Sequence, residues 1–150
     1  MSSTPRKPPG RSFPAANRVY VGFGHGPNYA AAFRLDNGTT GTQVWRFNAV
    51  GNFESLAMNA AGTQLFAGGH FGTAALQQHV CGSIPWLRGL ISFDPATGQP
   101  ICTWIPQLDP HGANFTGAWC MLSTGTQLWV GGLFDHVTGV PQRNLARFTL

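Results

Sequence analysis

The sequence predicts an all-β fold assembled from repeated four-stranded antiparallel sheets. Three observations predict it. First, the phrase "GTQLFAGGHF" at Gly62 returns as "GTQLWVGGLF" at Gly125 with seven of ten positions identical, and a looser copy, "NRVYVGFGH", begins at Asn17. Second, the glycine after each apolar triplet (Gly22, Gly68, Gly131) recurs at spacings of 46 and 63 residues, the period range of propellers and solenoids. Third, charged residues are only 9% of the 150-residue chain, while Gly (20), Pro (11) and aromatics (12%) are plentiful. That mixture suits short strands joined by tight turns, and no long window repeats apolar residues at helical spacing.

Residues 1–16 are rich in Pro, Ser and Arg and read as a disordered basic tail. They contain no apolar run long enough for a signal peptide. The repeats occupy residues 17–150, in units of about 17–61, 62–124 and 125–150. Each unit opens with the glycine-bearing strand: "VYVGFG" with Gly22, "LFAGG" with Gly68 and Gly69, "LWVGG" with Gly131 and Gly132. A variable loop leads to a second strand ending at Leu35, Phe93 and Leu150 in the three units. In the first two units a turn follows, at Asp36 and at Asp94. In "DPATG" the Asp94 carboxylate can accept from the backbone just ahead of it, Pro95 presets φ, and Gly98 closes the turn. A strand carrying Trp45 or Trp104 comes next, then "NFESLAMNAAG" or "NFTGAWCMLSTG".

Four strands per unit make the blade of a β-propeller. The apolar runs before the glycines suit strands covered on both faces, because an open sheet would alternate. The glycine-bearing strand is then expected innermost, its glycines marking close approach of a neighbouring backbone. Trp45 and Trp104, being repeat-equivalent, are expected to be structural, as is Trp119, aligned with Leu56 in the core. The chain supplies about two and a half units, and propellers close with four to eight blades. An incomplete propeller is therefore expected: above all a fragment of a longer protein with its remaining blades in cis, otherwise a truncated reading frame or a protomer that completes a ring by self-association.

"LWVGGLFDHVTGVPQRNLARF" and "LISFDPATGQPICTW" resemble the repeats of bacterial kelch-like or delta-sixty-repeat β-propellers. The resemblance spans about residues 17–150. It implies propeller blades in a secreted or cell-surface protein, and its motifs are structural, so it assigns no activity.

The net charge of +4 comes from the tail, since beyond Arg18 five Arg face five acids. A basic face for nucleic acid is thus absent from the body, and no stretch is apolar enough for a membrane-spanning helix. With no P-loop helix and no G-x-S-x-G, no cofactor and no catalytic nucleophile are expected. Asp109 and Asp135 lie in loops that could bring them together as a carboxylate pair. The insertion between the first two strands of the middle unit offers the binding candidates: His79, Cys81, Trp86 and Arg88. Trp86 alone among the five Trp lacks a structural counterpart in the repeat, and an exposed indole suits a sugar or a protein contact. His79 with Cys81 makes at most half of a metal site, so no metal is expected. Cys102 and Cys120 read as small buried hydrophobes within strands. The functional expectation is a non-catalytic scaffold or recognition surface for protein or carbohydrate. The alternative is a fragment of a propeller oxidase, quinoprotein or glycosidase.

Overall fold

The computed structural model describes residues 17–24, 26, 28–35, 41–72, 80–82, 87–109 and 116–150. The predicted tail, the turn at Asp36, and the candidates His79 and Trp86 lie outside these residues. Among the described residues the fold is all-β, and none of its sheets is closed.

The first blade consists of β1 (Arg18–Phe23), β2 (Tyr29–Leu35) and β3 (Gly41–Asn48), paired in that order. In the second, β4 (Gly51–Met58), β5 (Leu65–Phe71) and β6 (Leu90–Phe93) are paired likewise. A bridge between Phe93 and Pro100 lays a fourth segment alongside β6. After the short β7 (Leu108–Asp109), the third blade is formed by β8 (Gly117–Thr124), β9 (Gln127–Leu133) and β12 (Leu145–Thr149), with β9 in the middle. Between β9 and β12, β10 (His136–Val137) and β11 (Val140–Pro141) form a small hairpin that pairs with β7.

Two expectations are corrected by this pairing. The paired sheets have three strands, with the fourth position of the second blade held by a single bridge. The glycine-bearing strands β5 and β9 are the second strands of their blades, not the innermost: each is preceded in its own sheet by the "NFESLAM"-type strand. The cause is the connections. Short turns join β4 to β5 and β8 to β9, and a short antiparallel turn keeps its two strands in one sheet. The repeat itself has no starting point, so its period cannot show where one sheet is cut from the next.

The register also corrects the alignment. Gly22 faces Ala30, Gly68 faces Leu90 and Gly131 faces Leu145. Phe33, Phe93 and Phe148 are therefore equivalent, in place of Leu35, Phe93 and Leu150. The β4 and β8 strands each bulge, between Phe53 and Ser55 and between Ala118 and Cys120. The bulge residues Glu54 and Trp119 are thus equivalent. Trp119, expected in the core, is 42% exposed, because a bulged residue leaves the ladder. From Ser55 to its partner Gly68 the chain runs two residues further than from Cys120 to its partner Gly131, which displaced the sequence alignment by that amount.

The core lies between the blades. Leu65, Ala67, Ile91 and Phe93 of the second blade pack with Ala30, Ala32 and Trp45 of the first. Phe66 and Leu90, on the opposite face of the same sheet, pack with Ala118, Leu128, Val130 and Ala146 of the third. The second blade is covered on both sides, which is why β5 reads as an unbroken apolar run. The glycines allow this approach. A Cβ on Gly22 would stand 2.9 Å from Phe53 Cβ, and one on Gly68 would stand 2.7 Å from Ala118 Cβ. In each case the obstacle belongs to the edge strand of the next blade.

The Asp94 turn forms as the sequence predicts. Its Oδ1 accepts from Ala96 N at 2.7 Å, and Gly98 takes a φ of 72°. The turn is also the dock for the first blade. Trp45 Nε1 donates to Pro95 O at 3.0 Å, Tyr20 Oη at 3.2 Å and Arg18 Nη1 at 2.9 Å. A Cβ on Gly98 would fall 2.4 Å from Trp45 Cδ2, so the glycine serves the indole as well as the turn. The Trp45 ring lies 5.7 Å from Phe93 and 6.1 Å from Tyr20. Trp104 repeats the arrangement one joint later, 5.4 Å from Phe148 and 4.9 Å from Phe66. The two tryptophans are interblade wedges.

Candidate functional site

An antiparallel meander sends its connections alternately to the two ends of the sheets. At one end stand the tight turns, residues 59–64, 94–99 and 125–126. At the other the strands run into the long connections, of which residues 72, 80–82, 87–89, 101–109, 116 and 134–144 are described. The second end carries Arg88, Asp109, Asp135, His136 and Arg143, on connections rather than in packed strand centres.

The strand β7 and the β10–β11 hairpin join two of these connections. Asp109 sits opposite His136 in their ladder. Thr138, at a φ of 49°, and Gly139, at 78°, form the two-residue turn of the hairpin. Thr138 is tied back to the other connection, its N donating to Gln107 O at 2.7 Å while its Oγ1 accepts from Gln107 N at 3.1 Å. Arg88 enters from the middle-unit insertion, and its Nη1 meets Asp109 Oδ1 at 3.3 Å. Asp109 Oδ2 accepts from Gly139 N at 3.3 Å. Asp135 lies alongside, its N donating to Asp109 O at 3.3 Å, and its Oδ1 accepts from Arg143 Nε at 3.0 Å. Both ion pairs are partly exposed, where such pairs position side chains more than they stabilise.

Of the sequence candidates, Arg88 belongs to this rim. Asp109 and Asp135 are brought together as their loops allow, but each carboxylate is engaged by its own guanidinium. That arrangement presents alternating charges on a rim; it does not present a free acid beside a free base. His136, Arg143 and Thr138 are members that the sequence reading did not single out. Their segment matched the repeat pattern and was read as structural.

The cysteine expectations are corrected. Cys81 is bonded to Cys102 across 21 residues, so its sulfur is not available as a metal ligand beside His79. Cys102 lies in a turn and is exposed, and Cys120, though in β8, is exposed with a free thiol. The disulfide ties the insertion that carries Arg88 to the outer segment of the same blade. Closing a loop of this length contributes about 3 kcal/mol through the unfolded chain. Among the described residues no group of three His, Cys, Asp or Glu is placed to hold a metal ion, and no helix is long and apolar enough to cross a membrane.

No protein-family model matches the chain, and neither the curated proteins nor the solved structures contain a match.

Proposed function

We propose that the chain is a non-catalytic recognition module of the β-propeller type, with the long-connection rim as its contact face and protein or carbohydrate as its ligand. The carrying observation is the rim itself. Arg88 is ion-paired with Asp109 and Arg143 with Asp135, and Asp109 also accepts from Gly139 N of the hairpin. A fixed array of donors and acceptors with mixed charge suits polar, multivalent contact. The disulfide supports a secreted or cell-surface setting, since such bonds persist in oxidising compartments. The repeat resemblance points the same way.

The test is direct. The oxidised chain is applied to an immobilised glycan panel and to a panel of extracellular protein domains. Arg88→Ala and Trp86→Ala are run beside it, with thermal melting as the folding control. Saturable binding that both substitutions weaken about tenfold or more, at unchanged melting, is the expected result. Turnover of any panel member, with the chain acting as a catalyst, would overturn the reading.

A further inference from the structure

We propose that Glu54 and Trp119 form a binding site for an organic cation, best matched by the guanidinium of an arginine side chain. The site lies on the edge strands β4 and β8, apart from the connections that make the rim. It does not depend on what the rim recognises.

Of the described acids, all but Glu54 are used by the chain itself. Asp94 holds its own turn, Asp109 pairs with Arg88, and Asp135 pairs with Arg143. Glu54 is exposed and, among the described residues, has neither an ion pair nor a side-chain hydrogen bond. The described tryptophans divide in the same way. Trp45 and Trp104 wedge the joints, and Trp129 lies under Arg147, with the guanidinium carbon 5.7 Å from its ring centroid. Trp119 is 42% exposed, and among the described residues neither its ring nor its Nε1 has a partner. The unengaged carboxylate and the unengaged indole hold the same repeat position, the bulge of β4 and the bulge of β8.

The joint between the second and third blades brings the two bulges to one place. A Cβ on Gly117 would stand 2.6 Å from Gly69 O, and one on Gly68 would stand 2.7 Å from Ala118 Cβ. Gly69 and Gly68 are the ladder partners of Phe53 and Ser55, the residues on either side of Glu54. The start of β8 therefore runs across the two glycines that flank the Glu54 bulge, and its next residue is Trp119. A bulge takes a side chain out of the ladder and re-aims it, a device found beside active sites. Both re-aimed groups present negative potential: a carboxylate with its charge, and an indole face with its quadrupole. A neutral sugar gains nothing from that shared sign. A guanidinium answers both groups, lying flat on the indole while donating to the carboxylate.

The test is titration of the isotope-labelled oxidised chain with N-acetylarginine amide, followed by NMR at the indole Nε1–H of Trp119 and the amides of Ser55 and Cys120. The neutral isostere N-acetylcitrulline amide and methyl glucoside are run beside it at matched ionic strength. Saturable shifts with the arginine probe alone, at about millimolar concentration, are expected. Glu54→Gln is expected to weaken binding at least about threefold, and Trp119→Leu likewise, while Trp119→Phe keeps more of the affinity. Both side chains are exposed, so the melting temperature is expected to be unchanged in all three variants. Equal shifts with the arginine and citrulline probes, a response to methyl glucoside alone, or no response at these groups overturns the proposal. So does arginine binding that is indifferent to Glu54→Gln.

Discussion

The second and third blades carry the same motif and differ in what covers them. Phe66 and Leu90 are fully buried, whereas their equivalents Trp129 and Leu145 face outward, with Leu145 52% exposed. The second blade is a layer between two neighbours; the third has one. The difference teaches that the repeat sets which residue faces which side of its sheet, while the neighbouring blade sets whether that side is buried. The same repeat position is buried or exposed according to whether a described blade covers it.

The comparison is broken most sharply at its aromatic positions. Phe93→Ala removes a fully buried ring that packs on Trp45 and on Phe47 at 4.9 Å. It is expected to cost about 3–5 kcal/mol of unfolding free energy, read from urea titration. Trp129→Ala is expected to cost less than about 1 kcal/mol. Equal costs at the two sites would mean that the third blade is not open.

The disulfide sharpens the comparison next, because it belongs to the second blade alone. The double variant Cys81→Ser, Cys102→Ser is expected to lose about 3 kcal/mol, and adding reductant to the wild type should reproduce the loss. If reductant leaves the urea midpoint unmoved, the insertion is held by its packing. Asp94→Ala removes the acceptor of Ala96 N and loosens the dock for Trp45, for an expected loss of about 1 kcal/mol. Asp94→Asn should retain most of that. Arg143→Ala sits at the small end. Its own side chain is mostly solvated, and the expected change is under about 1 kcal/mol. A larger loss would show that the hairpin of the third blade depends on that ion pair for its shape.

Much of the architecture was legible in the chain because the repeat states it several times. The all-β class, the glycines of close approach and the Asp94 turn follow from steric and hydrogen-bonding rules that act over a few residues. Trp45 could be read as structural from its recurrence, although its bond to Pro95 could not. Trp119 was misread because a bulge and a two-residue difference between equivalent ladder positions of the two hairpins are both invisible to a pattern match. The rim was only partly legible. Arg88 stood out in an insertion, but Asp109, Asp135 and Arg143 become a cluster only when β7 pairs with β10, across 27 residues of chain.

Local chemistry in the sequence therefore determined which segments extend, where they turn, and which positions require a missing Cβ. The tertiary structure decided where the repeat is cut into sheets, that Cys81 and Cys102 meet, which carboxylate faces which guanidinium, and which apolar faces are left open. The physical reason is range. Turn and strand preferences act between neighbours in sequence, whereas a disulfide, an ion pair or a buried joint depends on two distant segments arriving at one place.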